Sequence, residues 1–451
     1  MYFERKIDKW LMNWKNKTKK SPALIVGIRQ CGKTESILEF GKKNYKNIVR
    51  VNFWENPDYC SDFDGKLDVD EIISNLSLRF PSIQIDPSNT LLFFDEIQEC
   101  PKARLAFKNF EIDGRYDVIG SGSYLGINGY VIGDSTPAPT GYEDVYHMHT
   151  MDFEEFLWAN QYTKQQINEL YNYFINNKKI PENTHNLYKD IFLKYICVGG
   201  FPKAIKEYII THNIMEAFRV TQSTVFDMKT DFGRRKDKNG NPLFKPSEVA
   251  RIQHVFDLIP TFLAKDNKRF IVSKISKGSS FEKLDAIEYL VQSHISYKVH
   301  NLETPSLPLK GNVINSQFKL FPENIGILNS LYGIETVAAM NKGNLGQGKG
   351  AIYEAIVFEA LNKAGIDTFY FAKESGLEID FVICYKSETH LIESKFKNGN
   401  VKSSKTVMKH PEHYGKTKLI KIGDYNIGFE NDILTIPHYL TFMLGKNMPS
   451  F

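Results

Sequence analysis

The stretch that most restricts this chain is Gly27-Ile28-Arg29-Gln30-Cys31-Gly32-Lys33-Thr34, set between the apolar run "ALIV" and the helix-forming "ESILEFGKK". It fits G-x-x-x-x-G-K-[ST] without departure, in the strand, loop, helix order that the motif needs. Glycines let the backbone wrap a phosphate with its N–H groups, and the start of the following helix adds a partial positive charge. In such a loop Lys33 reaches the β and γ phosphates and Thr34 ligates Mg²⁺. Gly27, Arg29, Gln30, Cys31, Gly32 and Glu35 make up the rest of the expected nucleotide-binding segment.

A second run, "TLLFFDEIQEC" at 90–100, ends an apolar strand in Asp95-Glu96. Asp95 at the strand tip is expected to complete the Mg²⁺ shell. Glu96 is expected to orient or deprotonate the attacking water. Strand-like runs at 23–28, 48–53, 90–95 and 116–125 alternate with polar or helical segments, the signature of a parallel α/β sheet. Ser121 and Ser123, at the end of the last of these, are placed either to sense a γ-phosphate or as ordinary turn serines.

Length and composition set the frame for these motifs. A chain of 451 residues should form two or three domains, since single cores stop growing at roughly 250–300 residues. A formal charge of +4 is too small for a global nucleic-acid field, so any such surface must be local. Five scattered cysteines without a CxxC pair argue against a disulfide framework or zinc ribbon. The amphipathic start lacks a secretory core, and no apolar run approaches the ~20 residues of a membrane span. A cytoplasmic protein with no membrane association is expected.

An ATP-binding α/β region is expected at 1–151, a helical region at 152–340, and a small α+β region at 341–451. Asp152 is placed to cap a helix, helical character runs on to about 300, and Gly199-Gly200-Phe201-Pro202 breaks it. The segment 234–246 reads as a charged loop. After "NKGNLGQGKG" come a helix (351–364), strand runs at 367–373, 377–385 and 389–396, a polar helix (402–412) and a strand (417–423).

Within that last region, Glu393 and Lys395 fall on one face of a strand. A hairpin of 380–385 with 390–395, closed by a four-residue loop, sets Asp380 opposite Lys395 and Val382 opposite Glu393. Asp380, Glu393 and Lys395 then converge, with Glu354 in reach from the preceding helix. Asp380 and Glu393 as metal-binding carboxylates, with Glu354 and Lys395 beside them, are one reading; plain cross-strand salt bridges are the other. Lys397, Lys402, Lys405 and Lys409 offer backbone contacts to DNA or a solvated helix face.

"GIRQCGKT", "FFDEIQECP", "VIGSGSYL", "DFEEFLWA" and "VGGFPKAI" occur in the order seen in prokaryotic AAA-type ATPases with a C-terminal domain of unknown function, which this chain resembles over nearly its whole length. The resemblance implies a nucleotide-binding module, a helical lid, a winged-helix-like segment and a nuclease-like end. The D…E-x-K set resembles the PD-(D/E)XK nuclease superfamily, where carboxylates bind Mg²⁺ and the lysine stabilises charge or positions water. One departure stands out. The family's Gly-Arg pair is here Gly141-Tyr142, which leaves Arg234 and Arg235 as candidate arginine fingers. The expected activity is Mg²⁺-dependent ATP hydrolysis that drives or gates the C-terminal region. The alternatives are an ATP-regulated nuclease and a nucleotide-gated switch that docks DNA or a partner protein, and assembly into an oligomer is compatible with each.

Overall fold

The computed structural model describes residues 1–124, 141–233, 242, 244–265, 268–275, 279–344, 348–395 and 401–446. Arg234, Arg235 and Lys397 lie outside them. The chain divides into two compact units, one of Met1–Thr150, Gly233–Lys245 and Gln292–His294, the other of Met151–Phe232, Pro246–Val291 and Ile295–Phe451.

The first unit is built on strands β1 (Ala23–Val26), β2 (Asn47–Asn52), β3 (Thr90–Asp95), β4 (Asp117–Gly122) and β5 (Asp144–His147). Their order is β2-β3-β4-β1-β5, and every neighbouring pair is parallel. Strands β1, β3 and β4 are buried along their whole length, as near-continuous apolar runs in a parallel sheet should be. Helices Lys33–Asn44 and Val69–Arg79 connect strands, and Phe53, Phe63, Phe94, Phe107 and Phe110 fill one core. Because the strands run parallel, Val26, Asn52, Asp95 and Gly122 all end at one edge, where ligands bind in open α/β sheets. The expected basic-ended helix is Lys6–Lys15, which buries Ile7, Leu11 and Trp14.

The second unit starts with helices. Asp152 accepts from Glu155 N at 2.9 Å and caps Phe153–Ala159, as expected. Helix Glu182–Val198 ends at Gly199, whose φ is +79° and where a Cβ would lie 2.6 Å from Gly326 Cα. No other residue fits that close approach without a shift.

Two strands, β6 (Ser296–Leu302) and β7 (Val313–Pro322), lie within the region 152–340 expected to be helical and winged-helix-like. They join β8 (Thr368–Ala372), β9 (Glu378–Tyr385), β10 (Glu388–Lys395), β11 (Thr417–Gly423), β12 (Gly428–Glu430) and β13 (Ile433–Pro437) in an eight-stranded mixed sheet. The order is β12-β13-β11-β10-β9-β8-β6-β7. Strand β6 pairs with β8 across a long stretch of chain, a partner that no local pattern announces.

The expected strand runs after 365 are present, but the hairpin differs. Strands β9 and β10 are joined by Lys386-Ser387, both at positive φ as a tight two-residue turn demands, and the register begins at Tyr385↔Glu388. The expected four-residue loop is therefore wrong, and so is the pairing of Val382, which faces Leu391 and not Glu393. The slip is by two residues. Since side chains alternate with period two, every residue stays on its expected face. The polar helix expected at 402–412 is split into Lys402–Lys409 and Pro411–Tyr414, because the residue before a proline is driven from helical geometry.

Candidate functional site

At the edge where β1 ends, the loop 27–34 adopts a backbone that few residues tolerate. Gln30 has φ +62° and Gly32 φ +102°, and Gly32 forms the N-cap of helix Lys33–Asn44. A Cβ on Gly27 would run into the Met148 carbonyl oxygen and come within 2.9 Å of Cys31 Sγ. The loop is fastened from outside by Arg5, which is buried. Its Nη1 donates to Cys31 O at 2.8 Å and its Nη2 to His149 O at 2.8 Å. Lys33 Nζ donates to Gly27 O at 2.9 Å and Ile28 O at 3.0 Å, so its ammonium lies over the loop. Cys31 is buried, Arg29 sets its guanidinium 5.7 Å from the centre of the Trp54 ring, and Glu35 is exposed in the first helical turn.

Asp95 is the hub of the site. It is 1% exposed, yet it gathers donors from three other elements. Thr34 Oγ1 lies 3.2 and 3.3 Å from its two oxygens, and Ser121 Oγ donates to Oδ1 at 2.5 Å. Arg50, on β2, donates to Oδ2 through Nε at 3.0 Å and Nη2 at 2.6 Å. Ser121 thus stands on Asp95. Glu96 has φ +54°, a strained position for a side-chain-bearing residue. Its Oε2 accepts from Gln98 Nε2 at 2.6 Å, and Gln98 Oε1 accepts from Ser123 N at 3.3 Å. The Tyr142 ring lies 5.4 Å from Lys108 Nζ.

Residues 19–157 match the family model of an AAA domain. That match covers most of the first unit. Residues 189–338 and 349–439 match two domains of unknown function, DUF8612 and DUF4143. Among solved structures the chain is similar to the Walker-type ATPase PABY2304 of Pyrococcus abyssi, at 13% identity and a TM-score of 0.43, over 74% of this chain and 96% of that one. It is also similar to the ORC2 protein of Aeropyrum pernix in its ADPNP–ADP complexes, at 12% identity and a TM-score of 0.33, over 75% and 94%. The ORC1 protein of the same organism, in complex with DNA, follows at 11% identity and a TM-score of 0.27, over 75% and 95%. No curated protein matches the chain.

The second unit holds the other candidate centre. Asp380, Glu393, Glu354 and Lys395 do come together, and two further lysines join them. Lys395 Nζ lies 2.8 Å from Glu393 Oε2 and 3.3 Å from Asp380 Oδ2. Ser404 Oγ donates to Glu393 Oε1 at 2.5 Å, and Ser394 N donates to Asp380 Oδ2 at 2.8 Å. Lys268 pairs with Glu354 Oε1. Lys319, 1% exposed on β7, lies 3.4 Å from Glu378 Oε1 and 3.7 Å from Glu354 Oε2, an oxygen without a hydrogen-bond partner. Lys402, Lys405 and Lys409 all lie on the helix that follows β10.

These neighbours bend the acids' titration in different directions. Burial, then Asp380, raises Glu354; burial, then Asp380, raises Glu393 to about 7. Burial would raise Asp380 too, but Lys395, Lys319 and Lys268 outweigh it and hold it below the usual range. Among the described residues no three His, Cys, Asp or Glu side chains are grouped to hold a metal ion. Nor is any helix among them long and apolar enough to cross a membrane.

Sequence reasoning missed Arg5, Arg50, Gln98, Lys268 and Lys319. Arg50 and Lys319 carried a signal: each is a lone charge inside a strand, in "NIVRVNF" and "QFKLF". A charge seldom enters such a strand without a partner.

Proposed function

We propose that this chain binds and hydrolyses ATP with Mg²⁺ at the loop 27–34, and that its nucleotide state governs what the second unit binds. One observation carries the reading: Thr34 Oγ1, at the mouth of a loop that leaves no space for a Cβ on Gly27, is within 3.3 Å of both oxygens of Asp95. Hydroxyl and carboxylate are the hard oxygen donors that Mg²⁺ takes from a protein, so the residues fit the ion. Thr34 and Asp95 are the groups that would hold it. Once bound, the ion neutralises charge on the β and γ phosphates.

The chain's own groups supply the rest. The loop N–H groups and the start of helix Lys33–Asn44 receive the phosphates, and Lys33 exchanges the Gly27 and Ile28 carbonyls for phosphate oxygens. Glu96, oriented through Oε2 by Gln98, accepts a proton from the water that attacks the γ-phosphorus, and ADP leaves. The experiment is nucleotide binding and turnover in Lys33→Ala and Glu96→Gln. The first is expected to lose ATP binding. The second should keep binding and lose turnover by on the order of 100-fold or more. Normal turnover in both variants would refute the reading.

For the second unit, the lysines favour a binding module built on a nuclease-like fold over an active nuclease. The donor set does not fit a divalent cation, because three lysines crowd Glu354, Asp380 and Glu393, and one of them, Lys319, is almost wholly enclosed, unlike the half-open Arg50 beside Asp95. The test is incubation of labelled single- and double-stranded DNA and RNA with the protein in Mg²⁺ or Mn²⁺. No cleavage is expected. Cleavage that disappears in Asp380→Ala would establish the nuclease instead, and ATP turnover that rises with DNA would identify the nucleic acid as the gated partner.

A further inference from the structure

We infer that Arg50 is a γ-phosphate-contacting residue, supplied by the chain itself from beside Asp95. The inference rests on the ATP reading above. Strand β2 lies directly beside β3, with Arg50 opposite Phe93, so the long Arg50 side chain runs toward the same sheet edge as Asp95 and Thr34. There it gives two hydrogen bonds to one carboxylate oxygen, Oδ2, at 2.6 and 3.0 Å. The other oxygen, Oδ1, takes Ser121 and Thr34. A buried acid with this many donors has little accepting capacity left.

The two partners of this ion pair are not equally enclosed. The Asp95 side chain is 2% exposed and that of Arg50 is 34% exposed, so the arginine is the partner partly open to solvent. Thr34 and Asp95 would hold a divalent cation, whose charge beside the guanidinium would weaken the Arg50–Asp95 pair. Two anions are then open to the released arginine. Glu55 Oε1 stands 3.7 Å from Nη2, but that side chain is 60% exposed, and such pairs contribute little. The γ-phosphate is the better acceptor, because its oxygens match the planar guanidinium fork bidentately and lie in a shielded cup. In that position the arginine offsets charge that develops on the transferred phosphoryl group, a contribution worth about 10³-fold or more in other phosphoryl-transfer sites.

The test compares a non-hydrolysable ATP analogue with ADP, by titration calorimetry on the full chain, beside steady-state turnover. Wild type is expected to prefer the triphosphate, and Arg50→Ala to lose about 10-fold or more of that preference with ADP affinity unchanged. Turnover in Arg50→Ala should fall on the order of 100-fold or more. Arg50→Lys, which keeps the charge without the fork, should recover part of both, and it carries the same comparison if the alanine variant does not fold. Unchanged triphosphate preference and turnover in Arg50→Ala would overturn the assignment while leaving the ATPase reading intact. An equal loss of ADP and analogue affinity would also overturn it, since that marks a residue that only shapes the pocket. Wild type that binds neither nucleotide, like Lys33→Ala, would overturn both.

Discussion

Asp95 in the first unit and the acids around Asp380 in the second are all buried carboxylates, yet their partners differ in kind. Asp95 is held by two hydroxyls and by one arginine whose side chain reaches solvent. Glu354, Asp380 and Glu393 are held by Lys268, Lys319 and Lys395, of which Lys319 is almost wholly enclosed. Hydroxyls carry no net charge and rotate easily, so they can turn a lone pair to an incoming cation. An ammonium already neutralises its acid, and displacing it leaves a buried charge without a partner. A lone buried carboxylate among hydroxyls thus reads as an exchangeable site in one unit, and three carboxylates among lysines as a closed ionic core in the other.

The sharpest way to break this contrast is to spoil the cup alone. Gly27→Ala puts a methyl into the Met148 carbonyl, and loss of measurable ATP binding is expected with the second unit's melting unaltered. Retained binding would mean that the loop does not need its close backbone approach.

Next in size is Lys319→Ala, which strips the enclosed cation from Glu354 and Glu378. A loss of about 3 kcal/mol in denaturant unfolding of the second unit is expected. A change near zero would show the lysine to be dispensable and reopen the centre to metal.

A smaller and pH-dependent effect belongs to Glu393. Its carboxyl titrates near 7 when folded, against 4.5 ordinarily, because of burial first and Asp380 second. The folded state therefore holds the extra proton between those values, and stability falls as pH rises through that window. Glu393→Gln should remove this fall, seen as thermal melting that no longer declines between about pH 5 and 7. Ser121→Ala should be the mildest change, about 1 kcal/mol of unfolding free energy, because Thr34 and Arg50 still occupy Asp95.

Much of the first site was legible in one dimension. The phosphate loop is contiguous, and glycines at its ends, an apolar strand before it and a helix after it leave the backbone few other shapes. Asp95 was readable as a strand tip. That Thr34 and Asp95 touch was inference, since they are far apart in sequence and meet only because β1 and β3 both lie beside β4. The C-terminal hairpin shows where such inference slips. Its turn was placed two residues too long, because Lys386-Ser387 lacks the glycine that normally marks a tight turn. The faces survived the error through the period of the strand.

Local chemistry was enough to specify the cup, the acidic strand tip, the parallel sheet and the face on which Asp380, Glu393 and Lys395 stand. Each is marked by local patterns, in which the spacing of neighbouring residues fixes backbone shape or side-chain direction. Which cation neutralises which acid was a matter of folding. Arg50, Lys268 and Lys319 enter from neighbouring strands or from a segment alongside β7, and strand adjacency follows from how whole units bury their apolar faces. Coulomb energy falls off over a few ångströms, so the identity of the nearest neighbour decides whether a buried acid can receive an incoming ion or is already neutralised.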